Sequence, residues 1–244
     1  MSESGRNEGR EALLARLSVA LVRTAYAGNA GAVARVMTNF GVRQGIMVAP
    51  RCDINSIDAR QYATGPSALT LATMNTVKSI DQCLEGFSSV IGVTRRTGQM
   101  RKASVTLDEV MGRLRSGPVL LVFGPEETGL SEDEIQCCTD VLTIDVSAAM
   151  PSLNLSHAVA VVLSHIYFAT AALAPDDDAT LKSADASELL SLYSRLDSSL
   201  KSLETSGKLA NAGRFARILS QTLSRARLDE HELAAWHGLL SLLK

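Results

Sequence analysis

Short apolar runs alternate with segments of helical pattern over the first two thirds of the chain. Helix-capping spacing occurs between the runs, at Ser79-x-x-Gln82, Thr106-x-x-Glu109 and Ser131-x-x-Glu134. The runs are predicted strands and lie at 17–23, 45–50, 69–74, 89–93, 119–123 and 141–146. This alternation predicts an α/β domain with a mainly parallel sheet.

The pattern changes after residue 174, where a small, polar and acidic segment interrupts it. Beyond it, helical periodicity recurs at 186–205, 210–226 and 229–243, without a strand-like run. We therefore predict four parts, which are a disordered polar lead-in (1–15), the α/β domain (16–174), a linker (175–185) and a helical extension (186–244).

Residues 158–174 carry no formal charge, which raises the question of a membrane helix. The segment is shorter than the roughly 20 residues that span a bilayer, and it contains Ser164, His165 and Tyr167. We interpret it as a core or interface helix. The N-terminus has no apolar core of signal-peptide length, and the four cysteines show no C-x-x-C spacing. These features predict a cytoplasmic protein with reduced thiols.

Composition narrows the function only slightly. The 244 residues are 46% hydrophobic and 20% charged, with a net charge of −2, so binding of nucleic acid by bulk positive charge is not indicated. The four histidines have no cysteine or carboxylate partner at ligand spacing, so no metal site is predicted.

Three glycine- or asparagine-marked turns lie where predicted strands end. The first, at 27–41, has Gly28 or Asn29 as the predicted cap of a helix that carries Arg35. The second follows the strand 119–123, and the third, at 150–166, leads into the uncharged helix. The second turn has the strand–glycine–helix form that holds nucleotide-like ligands, but neither a P-loop nor a G-x-G-x-x-G motif is present. Each turn alone is explained as a simple cap or turn.

Together, the three turns resemble the three motifs of the SpoU-type RNA ribose 2′-O-methyltransferases of the SPOUT class. The matching patterns are N-x-G-x-x-x-R-x-M-x-N-x-G, F-G-x-E-x-x-G-L-S and S-L-N-L-S-x-A-V, within residues 16–170. The segment "TLSRARLDEHELAAWHGLLSLL" (222–243) is similar to the C-terminal helices of TrmJ-type tRNA methyltransferases, which modify nucleotide 32 of the anticodon loop. The resemblance implies a deep trefoil knot at the C-terminal end of the domain, S-adenosylmethionine as cofactor, and a homodimer.

The resemblance also implies site residues. The implied cofactor-binding residues are Val93, Thr94, Arg95, Gly124, Ile144, Pro151, Ser152 and Leu153. The implied catalytic residues are Asn29, Arg35, Glu126, Ser152 and Asn154. Glu126 is expected to accept hydrogen bonds from the backbone or from Asn29, and Asn154 to join the third turn to the first. Gly124 is expected because a side chain would collide with the cofactor.

The role of Arg35 has more than one interpretation. A role as catalytic base has been proposed for this arginine in the family, but a guanidinium is hard to deprotonate. We therefore favour a contact to phosphate that orients the ribose 2′-hydroxyl. The simplest alternative is an exposed helical charge with no part in the reaction.

Two basic segments are candidates for RNA binding. The candidate residues besides Arg35 are Arg96, Arg101, Lys102, Arg214, Arg217 and Arg225. A plain solvated face explains either segment equally well. Aromatic residues are only 4% of the chain and no RNP-like pair occurs, so we expect recognition to rest on charge and shape.

We therefore predict a knotted methyltransferase that acts on the 2′-hydroxyl of nucleotide 32 in tRNA. Two alternatives remain, which are the same reaction at another tRNA position or on ribosomal RNA, and an inactive RNA-binding homologue. The third turn reads Met150-Pro151-Ser152 where relatives often carry Tyr-Ser-Ser, and Val93-Thr94-Arg95-Arg96 replaces a Ser-Ala-rich segment. These departures leave the target nucleotide open.

Overall fold

A computed structural model describes residues 3–95, 102–171 and 184–242. Its sheet has seven strands in the order β3-β2-β1-β6-β4-β7-β5, and every neighbouring pair is parallel. The strands are β1 (Leu17–Val22), β2 (Gln44–Val48), β3 (Asn75–Val77), β4 (Ser89–Val93), β5 (Ala103–Val105), β6 (Val119–Phe123) and β7 (Asp140–Leu142). The predicted α/β class with a parallel sheet is confirmed.

Helices surround the sheet and form the C-terminal part of the chain. Those associated with the sheet are α1 (Glu3–Leu14), α2 (Ala27–Asn39), α3 (Ile57–Tyr62), α4 (Ser67–Ala72), α5 (Leu107–Ser116), α6 (Glu132–Gln136) and α7 (Leu155–Ala171). A 3-10 turn covers Ile80–Cys83. The C-terminal helices are α8 (Ala186–Thr205), α9 (Ala212–Ala226) and α10 (Glu230–Ser241).

The central strands are buried on both faces, as expected when helices cover a parallel sheet. Alternate residues of β1 point to opposite sides, so that Val19 and Leu21 join one apolar cluster while Ala20 and Val22 join another. The first cluster includes side chains from α2 and α7, and the second includes Ile135 of α6. These two layers hold the carboxyl ends of the strands, and hence the loops that follow them, in fixed positions.

One predicted strand is wrong and two short strands were not predicted. The run 69–74 lies in and after α4, where Leu71 is buried but Leu69 is 71% exposed. Its leucines alternate as in a strand, but only one of them meets the core. Strands β3 and β5 have three residues each, which is too short to produce a periodic pattern.

Two of the three predicted capping boxes are confirmed. Thr106 and Ser131 each accept a hydrogen bond from the backbone of the glutamate three residues later, and that glutamate bonds back to the cap. Ser79 makes no such cap, because the side-chain oxygen of Gln82 accepts from the amide of Lys78 instead. The spacing was present there, but the backbone forms a 3-10 turn.

The N-terminal segment that we predict to be disordered contains helix α1. Leu14 at its end is 2% exposed. Arg10 donates to the hydroxyl of Tyr167 at 3.2 Å, and its guanidinium lies 4.6 Å from the centre of that ring. The polar composition concealed these contacts, because they join the segment to a helix more than 150 residues away.

The C-terminal helices form where the periodicity predicts them and enclose their own apolar cluster. They also contact the α/β domain. Asp185 caps α8 and accepts from the amide of Gly86, and the amide of Ala186 donates to the carbonyl of Phe87 at 2.7 Å. In the parts of the chain that the structure describes, no helix is long and apolar enough to cross a membrane.

Candidate active site

A pocket lies at the carboxyl edge of the sheet, where ligands bind in open parallel sheets. Its walls come from the segments that follow β4, β6 and β7 and from the first turns of α7. These strands are neighbours in the order β6-β4-β7, so their loops meet although they are far apart in sequence. The cavity has a volume of about 190 Å³.

All eight predicted cofactor-binding residues line this pocket, from Val93, Thr94 and Arg95 to Pro151, Ser152 and Leu153, with Gly124 and Ile144 between them. The lining also includes residues that were not predicted, namely Phe123, Pro125, Glu127, Thr128, Gly129, Val146, Leu155 and Ala158. Each of them lies within four positions of a predicted residue along the chain, and this proximity is the signal that could have found them. The second and third motifs therefore converge on one cavity with the end of β4.

Gly124 occupies its position for a reason different from the one we expected. A Cβ atom there would lie 2.2 Å from the amide nitrogen of Leu130 and 2.3 Å from the carbonyl carbon of Gly129. The loop thus folds back onto its own first residue, and its backbone excludes a side chain. The expected collision with a ligand is not needed to explain this glycine.

A chain of three side chains joins the first, second and third turns. The carboxylate of Glu126 accepts from the amide nitrogen of Asn29 at 2.6 Å and from the backbone of Ala25 at 3.3 Å. The amide nitrogen of Asn154 donates to the side-chain oxygen of Asn29 at 3.2 Å. The side-chain oxygen of Asn154 accepts from the backbone amide and the hydroxyl of Ser156, in the first turn of α7. The predicted links of Glu126 and Asn154 are confirmed.

The predicted capping role of Gly28 or Asn29 is wrong. Helix α2 begins at Ala27, and its N-cap residue is Tyr26, which makes no side-chain capping bond. Asn29 lies within the first turn and directs its amide at Glu126 and Asn154. Its polarity serves the link between the three loops, and the helix start itself is left without a side-chain cap.

Arg35 is exposed on α2 and does not line the pocket. It lies six residues beyond Asn29 on the same helix, so the axis of α2 carries it away from the cavity. Ser152, by contrast, is exposed on the pocket wall. Of the five predicted catalytic residues, Glu126 and Ser152 line the pocket. Asn29 and Asn154 are linked to Glu126 by hydrogen bonds, and Arg35 lies apart within one chain.

The predicted RNA-binding residues have different outcomes. Lys102 is 8% exposed, and its ammonium group donates to the carbonyl of Gln136 at 2.9 Å and lies 5.8 Å from the ring centre of Tyr193. Burial lowers the pKa of Lys102. Its assignment to RNA binding is wrong, because the group is already used inside the protein. Arg96 and Arg101 lie outside the described residues.

The three arginines of α9 are all exposed, namely Arg214, Arg217 and Arg225. At about 100° per residue they fall within roughly a quarter of the helix circumference. They form a basic strip on the surface, and its part in RNA binding remains a prediction.

Sequence reasoning missed an ion pair beside the glycine loop. Arg23 follows β1 with a φ of 50°, and its guanidinium makes two hydrogen bonds to Glu134 of α6, at 2.6 and 2.9 Å. Burial raises the pKa of Glu134, but the bonds from Arg23 and from the amide of Ser131 outweigh it, and the pKa lies below its usual value. The pair joins the first strand to the helix that follows the glycine loop.

The other titratable side chains form no cluster of metal-binding geometry in the part of the chain that the structure describes. Within residues 3–95, 102–171 and 184–242, no three histidine, cysteine or acidic side chains are grouped so that they could hold a metal ion. The nitrogen Nε2 of His165 lies 3.0 Å from a carboxylate oxygen of Asp108, on the exposed surface.

The chain is similar to known methyltransferases over most of its length. Residues 16–164 match the SpoU rRNA Methylase family. The tRNA (cytidine/uridine-2′-O-)-methyltransferase TrmJ of Pectobacterium atrosepticum is 30% identical over 239 residues, which cover 94% of this chain and 97% of the relative. The tRNA (cytidine-2′-O-)-methyltransferase TrmJ of Methanocaldococcus jannaschii is 32% identical and covers 64% of this chain, with 69% of the relative included.

Solved structures share the overall fold. The crystal structure of TrmJ from Z. mobilis ZM4 has a TM-score of 0.70 and 25% identity, covering 93% of this chain and 98% of that chain. AviRb from Streptomyces viridochromogenes, a SpoU methyltransferase solved with AdoMet, shares the fold at a TM-score of 0.53 and 17% identity, over 64% of this chain and 58% of its own. From the family match and the aligned relatives together, the chain belongs to the SpoU methylase family.

Proposed function

We propose that this protein transfers a methyl group from S-adenosylmethionine to the ribose 2′-hydroxyl of a tRNA anticodon-loop nucleotide, cytidine or uridine 32. The observation that carries the proposal is the pocket, whose walls contain all eight residues implied by the family motifs. The likeness to TrmJ of Pectobacterium atrosepticum covers the C-terminal helices as well as the domain, which favours tRNA over ribosomal RNA as substrate.

The pocket suits the proposed cofactor. Val93, Ile144 and Leu153 supply apolar surface for an adenine ring, while the backbone of the glycine loop offers polar groups for the remainder. Glu127 adds an exposed carboxylate to the lining, which favours a cationic ligand. When bound, S-adenosylmethionine supplies a methyl group already activated by its sulfonium.

The residues of the chain act mainly by positioning. An activated methyl group needs the attacking oxygen aligned with it, and alignment of this kind contributes much of the acceleration in such transfers. Asn29, Glu126 and Asn154 hold the three loops together, so that they fix the pocket before the substrate arrives. Ser152, exposed on the wall, is placed to hydrogen-bond the nucleophile or the cofactor carboxylate.

A homodimer explains why Arg35 lies outside the pocket of its own chain. In this proposal, each protomer contributes Arg35 to the site of its partner, where it contacts phosphate and orients the 2′-hydroxyl. Helix α7 carries Val161 and Phe168, which are 39% and 69% exposed and available to a second copy. Val33 and Met37 of α2, by contrast, are fully buried in the core of one chain and offer no surface to a partner.

The extension is proposed to bind the phosphate backbone of tRNA. Arg214, Arg217 and Arg225 form the basic strip on α9, and the helix contacts the domain through Gln221, whose amide donates to the carbonyl of Lys102. A rigid attachment of this kind would keep the phosphate contacts at a constant distance from the pocket.

The knot and the domain limits are also part of the proposal. Strand β7 lies between β4 and β5, which precede it in the chain and are joined by the connection 94–102. A chain that returns between two strands already connected is the arrangement that a trefoil knot would need. We propose a domain of 16–174, a linker of 175–185, an extension of 186–244 and a cytoplasmic location.

Mass spectrometry of tRNA from cells with and without this protein tests the proposed function. Loss of 2′-O-methylation at nucleotide 32 would support it, and loss at another tRNA position or in ribosomal RNA would support the first alternative. Titration of the purified protein with S-adenosylmethionine separates the second alternative. An inactive homologue would not bind the cofactor, whereas the proposed enzyme binds it and methylates unmodified tRNA.

A further inference from the structure

Two of the four tyrosines are more than half exposed, one at the N-cap of α2 and the other at the end of α3, close to the first turn of α2. Tyr26 and Tyr62 are each 55% exposed. Tyr193 is 8% exposed, and Tyr167 packs between Phe40 and Phe168. The two exposed tyrosine rings therefore share one region of the surface, whereas the exposed phenylalanine rings Phe168 and Phe215 lie on other helices.

Tyr26 stands where helix stability would favour another residue. It is the N-cap of α2, a position at which serine, threonine, aspartate or asparagine stabilises a helix by about 1 kcal/mol. Its side chain makes no capping bond. It instead extends toward the glycine loop after β6, where its hydroxyl lies 3.4 Å from a carboxylate oxygen of Glu127. Glu127 lines the pocket, so the exposed ring of Tyr26 lies at the pocket mouth.

Two glycines of α2 allow Tyr62 to pack close to the first turn of that helix. A Cβ at Gly28 would lie 3.0 Å from the ring of Tyr62, and a Cβ at Gly31 would lie 2.0 Å from the carbonyl oxygen of Ala59. Glycine within a helix costs about 1 kcal/mol relative to alanine. Here the two glycines allow α3 to pack against α2. The ring of Tyr62 therefore lies against the first turn of α2, which follows Tyr26 in the chain.

We propose that Tyr26 and Tyr62 form a stacking platform for an unpaired base of the RNA, beside the nucleotide whose ribose is methylated. Aromatic side chains bind unstacked bases of single-stranded loops in this way. Exposed arginines flank the platform, with Arg51 bonded through its amide to the carbonyl of Thr24 and Arg60 near the end of α3. Asp58 and Glu127 are also exposed there, so stacking rather than net charge is the main attraction.

This inference deepens the proposed function and rests on it. It also changes our expectation that recognition depends on charge and shape alone. The aromatic pair is not visible in the sequence, because the two tyrosines are separated by 36 positions and only the packing of α3 on α2 brings them to one turn.

The test uses the full-length protein and an anticodon stem-loop RNA that carries 2-aminopurine next to the target nucleotide. Stacking of that base on a tyrosine quenches its fluorescence. We expect quenching with the unsubstituted protein, and a loss of quenching with Tyr26→Ala and Tyr62→Ala. Each alanine variant should bind the RNA about 5- to 150-fold more weakly, with unchanged affinity for S-adenosylmethionine.

The matched controls are Tyr26→Phe and Tyr62→Phe, which keep the ring and should keep both the quenching and most of the affinity. The salt dependence of binding should not change in the alanine variants, because a ring makes no ionic contact. Normal RNA binding by both alanine variants would overturn the platform. So would phenylalanine variants as weak as the alanine ones, or a change of oligomeric state in Tyr62→Ala.

The two proposals fail differently. If the unsubstituted protein quenches the fluorescence but transfers no methyl group to tRNA, the proposed function fails and the platform stands. If it methylates tRNA and both alanine variants retain normal affinity and quenching, the platform fails and the function stands.

Discussion

Arg113 and Asp140 form a buried ion pair with a nitrogen–oxygen distance of 3.1 Å, and their side chains are 9% and 1% exposed. Arg113 belongs to α5, and Asp140 begins β7, the strand that leads to the pocket wall. Ser224 of the extension completes the cluster, since its hydroxyl contacts Asp140 and its carbonyl accepts from Arg113 at 2.5 Å. The extension is therefore joined to the domain by a buried polar cluster as well as by apolar contacts.

We predict that Asp140→Asn will strongly destabilise the protein. The substitution leaves the guanidinium of Arg113 buried without its counter-charge, which costs about 3–5 kcal/mol in comparable pairs. The free energy of unfolding from urea titration measures the effect. The control is Asp197→Asn, which removes the partner of the exposed Lys201 and should cost less than about 1 kcal/mol. Equal decreases in the free energy of unfolding of the two variants would show that the buried pair stabilises the protein no more than the exposed pair.

Gly124→Ala is predicted to disrupt the pocket. Its new methyl group would lie 2.2 Å from the amide nitrogen of Leu130, so the loop backbone must move. We expect S-adenosylmethionine affinity to fall at least about 10-fold, a change of about 1.4 kcal/mol. Calorimetric titration checks this. Gly238→Ala is the matched control, because a Cβ there meets nothing within 4 Å and alanine favours a helix. Normal cofactor binding by the alanine variant at 124 would refute the prediction.

Arg35→Ala should separate cofactor binding from turnover. The side chain is exposed and outside the pocket of its own chain, so S-adenosylmethionine affinity should stay within about 2-fold, while turnover falls about 100-fold or more if the residue acts only with RNA bound. Arg35→Lys should recover little activity, since lysine lacks the planar fork of donors. Single-turnover methylation of tRNA measures the turnover of both variants, and titration with S-adenosylmethionine measures the affinity. Normal turnover in the alanine variant would reject the role.

The basic strip on α9 should contribute to tRNA binding through phosphate contacts. We expect Arg214→Glu with Arg217→Glu to weaken tRNA binding and to reduce the slope of log affinity against log salt by about 1 per lost contact. Filter binding over a range of salt concentrations provides the slope. Arg43→Glu is the control, because Arg43 is exposed just before the amino end of β2, at the edge opposite the pocket. An identical slope in the double variant and the control would exclude the strip.

Lys102 and Arg35 show how far local pattern can predict a site. Lys102 was chosen from a basic segment and Arg35 from a family motif, yet Lys102 is buried between Gln136 and Tyr193, and Arg35 lies away from the cavity. A charge in the sequence does not indicate its depth, which depends on segments that pack on it from elsewhere. Lys102 meets α8 only because the extension folds back on the domain.

Features with local causes could be predicted from the sequence. The apolar runs at 17–23 and 119–123 form central strands, and Thr106 and Ser131 cap helices, because period and capping act within a few residues. The pocket residues followed from the family motifs. Four features became apparent only in the folded chain, namely helix α1 in the polar lead-in, the short strand β5, the link that Asn29 makes between loops, and the position of Tyr62 beside Gly28. Each of these depends on contacts between segments distant in the chain, whose energies are set by packing and not by the local pattern of residues.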